Sequence, residues 1–151
     1  MSMRFSKKWL GVLLLGLVGG IVACQKDPPN SLQPVPPSTA VQPMLSSIQT
    51  NVFALKCAVA GCHVTGGIAP MSLELGNAFN NLVNASSVAY GNPRLLRVKP
   101  NDALNSVLYL KIIGDPQIGG TQARMPLGLG PMSNAEVNAI QTWINNGALN
   151  N

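Results

Sequence analysis

Residues that commonly carry chemistry are scarce in this chain of 151 residues, which has one histidine, three cysteines and five acidic side chains. With a single imidazole, the chain cannot build a site from a pair of its own histidines. So few carboxylates, spread so widely, leave no cluster for general acid–base work. Aromatic residues make up only 5%. Beyond the N-terminus they reduce to Phe53, Phe79, Tyr90, Tyr109 and Trp143. No internal repeat and no useful run of alternating apolar and polar residues is present, so no sheet is expected. A small domain with so thin a core usually needs a disulfide, a metal or another staple. Something large and apolar is missing from it.

Long apolar runs are also few, and the clearest lies at the start. Residues 1–8 carry Arg4, Lys7 and Lys8 with no acid, and residues 9–23 are apolar throughout. A basic stretch, a short apolar stretch and a small-residue boundary together read as an export signal. The run is shorter than the roughly 20 apolar residues of a membrane-spanning helix. The sequence turns polar directly after Cys24. Ile21-Val22-Ala23-Cys24 resembles the lipobox of bacterial lipoproteins. That resemblance implies that residues 1–23 are removed and that Cys24 is acylated as the first mature residue. Several acyl chains would anchor the protein to a bilayer stably. Gln25 stands where such lipoproteins carry Asp for inner-membrane retention, which points to the outer membrane. The expected location is the cell envelope, lipid-anchored and facing the periplasm or held at the outer membrane.

Losing Arg4, Lys7 and Lys8 lowers the formal net charge from +5 to +2. The basicity therefore belongs mostly to the signal, and nucleic acid is not an implied partner. Residues 24–43 hold six of the twelve prolines together with Ser, Gln and Asn. Such a segment cannot bury a core and reads as an extended tether. Residues 44–151 remain for one domain.

Helical spacing dominates that domain. Leu45, Ile48, Val52 and Leu55 predict a helix over residues 44–56, with Pro43 at its first turn. Residues 75–83 read as a short helix with Phe79, Leu82 and Val83 inward. Residues 102–113 read as a third helix, capped by Asn101 or Asp102 and stopped by Gly114 and Pro116. Its apolar residues Leu104, Val107, Leu108, Leu110, Ile112 and Ile113 predict burial on most sides. Ser133-Asn134-Ala135-Glu136 is a capping box for a last helix with Val137, Ile140, Trp143 and Ile144 on one stripe and Gly147 as its stop. Trp143 reads as a core residue packed on the first helix. Residues 115–131 are rich in Gly and Pro and form a long loop. The fold class is all-α, with long loops.

The chemistry concentrates in Cys57-Ala-Val-Ala-Gly-Cys62-His63. Two thiols followed at once by a histidine is the arrangement for covalent attachment of a c-type haem, two thioethers with the iron met by the imidazole. Four residues separate the cysteines here rather than the usual two. On a regular helix that spacing turns the second thiol well away from the first, so a local bulge is required, and Gly61 would allow it. A Cys57–Cys62 disulfide closing an exported, haem-free domain is the other reading of the same residues. With Cys24 acylated, two thiols and one imidazole fall short of a closed zinc site. His63 being the only histidine, a second iron ligand must be a methionine, a lysine or water. Met44 lies on the first helix, on the thiol side of the sequence, and Met71 is only eight residues from His63. Met125 and Met132 sit in or just after the Gly/Pro-rich loop, where a chain crossing a haem would have slack.

Arg124-Met125-Pro126, followed by Leu-Gly-Leu-Gly-Pro and by the capped helix ending Trp143-Ile144-Asn145-Asn146-Gly147-Ala148, resembles the C-terminal half of small bacterial class I-like c-type cytochrome domains. Arg97-Val98-Lys99-Pro100-Asn101-Asp102 and the stretch from Ser106 to Ile112 are similar to the middle of that family, with Asn101 in place of its common Gly. The likeness spans residues 44–148. It implies a cytochrome c-like fold around one covalently bound haem c, with Met125 of the R-M-P segment as axial ligand opposite His63. The implied role is single-electron transfer between redox protein partners, not enzymatic catalysis. A peroxidase-like haem enzyme would need an open iron position and finds no distal histidine here. Arg94, Arg97, Lys99, Lys111 and Arg124 read as surface charge, of which one or two could pair with haem propionates. Arg124, next to Met125, is the best placed of them to reach a haem propionate. Pro70 is the expected source of a carbonyl that orients His63.

Overall fold

The first helix of the domain starts on borrowed acceptors and ends at Cys57. The computed structural model describes residues 40–87, 95–118 and 123–151, all within one compact unit, Pro36–Asn151. The export signal, Cys24, Tyr90, Arg94 and all of the tether before residue 40 lie outside the described residues. Met44 is the N-cap of helix α1 (Leu45–Ile48), so Pro43 lies before the helix and not in its first turn. Its first amides donate to Asn151, Leu45 to the side-chain oxygen at 3.0 Å and Ser46 to the main-chain oxygen at 2.8 Å. It continues without a break as a π-helical segment, Gln49–Cys57, in which amides bond five residues back and the turn is wider than in an α-helix. The change of pitch alters which residues face inward. Val52 and Phe53 are fully buried, while Leu55, expected on the inner stripe, is 66% exposed.

Helix α2 (Ala78–Leu82) is shorter than the sequence predicts. It buries Ala78 and Leu82 and leaves Phe79 and Val83 half-buried. Residue pairs 83 with 98 and 86 with 96 form isolated bridges, and Leu96 also bridges to Ser106. The predicted third helix is two pieces, a 3-10 turn (Ala103–Asn105) and helix α3 (Val107–Ile113). Ser106 divides them. Its hydroxyl is fully buried, accepts from the Lys99 amide at 2.8 Å and donates to the Asp102 carbonyl at 2.8 Å, local bonds that compete with helix continuation. The break explains why Leu104 is 67% exposed although a continuous helix would bury it. Asp102 caps the turn and Gly114 ends α3 in the left-handed conformation, both as read from the sequence.

A second 3-10 turn (Pro116–Ile118) follows, and helix α4 (Asn134–Asn145) closes the domain. Both halves of the capping box are present. Trp143, Ile140 and Ile144 are buried in one cluster with Ile48, Val52 and Phe53, and the Trp143 ring nitrogen donates to the Leu149 carbonyl at 2.8 Å. Glu136 has a second task that the capping box did not announce. One carboxylate oxygen holds the cap, and the other meets Lys56 Nζ at 2.6 Å. The start of α4 is thereby tied to the last turn before Cys57. Burial presses the Glu136 pKa upward, but the bonds from Lys56 and Ser133 together hold it below the ordinary value. Its contribution to stability is therefore complete above the usual carboxylate range of ~4.3 and is lost as pH falls through the lower folded value. Glu136→Gln should be less stable than wild type by about 1 kcal/mol at neutral pH, with the gap closing under acid. Urea unfolding from pH 7 to pH 3 checks this, and a gap independent of pH would contradict it.

Candidate functional site

Cys57 is buried at the last residue of the π-helical segment. The Ala58 amide makes the final five-residue bond to the Phe53 carbonyl at 2.7 Å, and Ala58 then leaves helical geometry. Residues 57–63 close on themselves. The His63 amide donates to the Cys57 carbonyl at 3.1 Å, and the Cys62 amide to the Val59 carbonyl at 2.9 Å. Gly61 adopts φ +80° in this loop, as the required bulge demands. Gly67 packs so tightly behind it that a Cβ there would run into the Cys62 carbonyl. Thus the four-residue spacing does not separate the ends of the motif. Both thiols are free, with no disulfide between them. Burial pushes the Cys57 thiol up to about 12, so it is protonated at neutral pH.

His63 Nδ1 lies 3.4 Å from the carbonyl oxygen of Met71. The orienting carbonyl is thus one residue beyond the expected Pro70. With Nδ1–H donating there, Nε2 keeps its lone pair, the tautomer a metal ligand needs. Burial lowers the His63 pKa most, and the nearby Arg97 charge lowers it further against the opposing Met71 bond, which favours the neutral ring. The loop that brings Met71 back is clasped three times. Leu73 N–H donates to the His63 carbonyl at 2.8 Å, and buried Gln49 reaches from the first helix to the Leu73 carbonyl at 2.8 Å. Glu74 accepts from the Thr65 amide and hydroxyl at 2.8 and 2.6 Å and from the Ser72 hydroxyl at 2.8 Å. Those bonds, Thr65 first, hold its pKa below the ordinary value. Sequence reasoning missed this clasp. Glu74 is the only acid between Asp27 and Asp102, which was the available signal.

The four methionines of residues 40–151 separate clearly. Met44 is largely exposed before α1, and Met132 is 6% exposed in the core cluster. Met71 and Met125 border a cavity together with Cys57, Cys62 and His63. Met125 is anchored to α3, its amide donating to the Lys111 carbonyl at 3.0 Å, while Lys111 Nζ donates back to the Ala123 carbonyl at 3.1 Å.

The cavity holds about 470 Å³, within the roughly 300–1,000 Å³ of small-molecule and cofactor sites. Leu73, Leu82, Val107 and Ile112 form part of its wall, and Ile68, Leu127 and Leu129 are exposed beside it. Among the described residues, Lys56, Arg97 and Lys111 border it, whereas no aspartate or glutamate does. Arg124, favoured from its place beside Met125, is not among the bordering residues. An occupant suited to these walls is mostly apolar and carries negative charge. Among the described residues, no three His, Cys, Asp or Glu side chains gather as ligands for a bare ion. Nor is any described helix long and apolar enough to cross a membrane. Comparison with protein-family models, with curated proteins and with solved structures finds no match to this chain.

Proposed function

We propose that this chain is a lipid-anchored, monohaem c-type cytochrome that carries single electrons between redox proteins of the cell envelope and catalyses no reaction itself. The convergence of Cys57, Cys62, His63 and Met125 on one apolar cavity carries the reading. Cys57 and Cys62 would hold haem through thioethers, each thiol adding across a vinyl double bond with no net oxidation. His63 and Met125 would ligate the iron. Bound there, haem supplies one-electron chemistry at a potential raised by His/Met ligation.

The chain's own residues prepare the site. A bond donated by Nδ1–H to the Met71 carbonyl would fix the His63 tautomer, and the clasp made by Glu74 and Gln49 holds the loop that carries that carbonyl. The α3 backbone fixes the Met125 segment. Around a haem held there, the apolar walls would limit water and favour the less charged, reduced state. Acylated Cys24 would anchor the domain through residues 24–43, which span about 60 Å if extended at ~3.1 Å per residue. Such a tether raises the local concentration of membrane-bound partners.

The test is a reduced-minus-oxidised visible spectrum of the full chain exported by a host with haem-attachment machinery. Sharp haem c bands in the reduced state are expected. A colourless, folded protein containing a Cys57–Cys62 disulfide would support a haem-free lipoprotein domain instead.

A further inference from the structure

Among the described residues three cations border the cavity, and Arg97 is the one bound neither to a carboxylate, as Lys56 is, nor to the segment that carries Met125, as Lys111 is. The ion pairs among the described residues are Lys56–Glu136 and Lys99–Asp102, and Arg97 belongs to neither. Lys56 is balanced at 2.6 Å by Glu136. Lys111 Nζ is committed to the Ala123 carbonyl of the segment that carries Met125. Among the described residues the Arg97 side chain makes one bond, from a terminal nitrogen to the Asn81 carbonyl at 2.9 Å. A guanidinium carries five N–H donors, so this bond aims the head and leaves donors for a ligand.

The base of Arg97 is as firmly held as its head. Its amide donates to the Ala85 carbonyl at 2.8 Å, and its carbonyl accepts from the Leu108 amide at 2.9 Å. The next residue, Val98, is fully buried in the core, while Arg97 borders the cavity. Asn81 is itself fixed, its side-chain amide donating to the Ser72 carbonyl at 2.8 Å. A planar donor fork held at both ends is preorganised for a carboxylate, which it can meet with two parallel bonds.

We infer that Arg97 is the carboxylate anchor of the cavity and pairs with a propionate of the bound haem, setting how the ring is turned in the site. The inference rests on the haem reading and replaces Arg124, which does not border the cavity. An ionised carboxylate brought into apolar surroundings costs free energy unless it is paired. Arg97 removes that cost, so the site distinguishes an acidic porphyrin from its neutral ester.

The test uses the full chain in its thiol form with iron-free mesoporphyrin IX and its dimethyl ester, followed by fluorescence. Neither probe has vinyl groups or iron, so the thiols, His63 and Met125 contribute no bond that differs between them. Wild type should bind the diacid at least about tenfold more tightly than the ester, the equivalent of one charge-assisted hydrogen bond. Arg97→Gln should bring the ratio close to one while leaving affinity for the ester unchanged, and Arg124→Gln should keep the wild-type ratio. Circular dichroism verifies the fold. If Arg97→Gln does not fold, Arg97→Lys takes its place and should lower the ratio without abolishing it. A ratio near one in wild type, or one unaltered by the Arg97 replacement, overturns the anchor while porphyrin binding, and with it the haem reading, stands. Binding of neither probe to wild type overturns both.

Discussion

If Met125 ligates a haem iron as proposed, Met125→Ala should remove the sulfur-to-iron charge-transfer band of the oxidised protein, lower the reduction potential and open the iron to carbon monoxide or cyanide. The fall in potential should be a sizeable part of the ~0.8 V range over which axial ligands set haem potentials. Met132→Ala separates a ligand from a core residue. Met132 is buried in the main apolar cluster, so its truncation should cost about 2–5 kcal/mol of stability and leave the band in place. Met71 also borders the cavity, but its carbonyl is already engaged with His63, which makes Met71→Ala the informative third variant. It should retain the band. Absorption spectra and redox titrations of the three variants decide the assignment. Loss of the band in Met132→Ala or Met71→Ala, with Met125→Ala unaffected, would make the assignment of Met125 wrong.

An all-or-none result is expected at the other end of the chain. Cells supplied with an alkyne-tagged fatty acid should label the wild-type protein, and Cys24→Ala should carry no label. Intact mass should place the wild-type N-terminus at an acylated Cys24, because a lipobox-like tetrapeptide ends the apolar run. Each buried methylene adds ~0.8 kcal/mol to membrane binding, and stable anchoring takes more than one chain. The mature wild type should therefore stay with the membrane fraction. An unmodified Cys24 with residues 1–23 still attached would refute this.

What the sequence made legible was local. The last helix could be read because its signals are short-range, with Ser133 and Glu136 three residues apart and Ile140, Trp143 and Ile144 on one stripe. The segment from Cys57 to His63 was visible in the same way, from contiguous residues, and Met125, the proposed ligand, borders the cavity while Met132 lies in the core. What escaped depended on backbone events that periodicity does not carry. Leu55 faces out because the helix widens before it, and Leu104 because Ser106 turns its hydroxyl on the backbone and breaks the run. The placement of Arg97 at the cavity, rather than Arg124, escaped for a different reason. Arg124 is next to Met125 in sequence, but Arg97 reaches the cavity from an extended segment that the bridges to residues 83–86 and 106 hold in place. Glu136 was read as a cap, yet its ion pair with Lys56 spans 80 positions and has no local signature.

Mass spectrometry of the peptide containing residues 57–63, taken from protein that has been exported, denatured and digested, tests the central claim most directly. The account predicts a peptide heavier by one haem, with both Cys57 and Cys62 as thioethers and neither thiol available to alkylation. A peptide without haem, in which Cys57 and Cys62 are joined to each other, would contradict it.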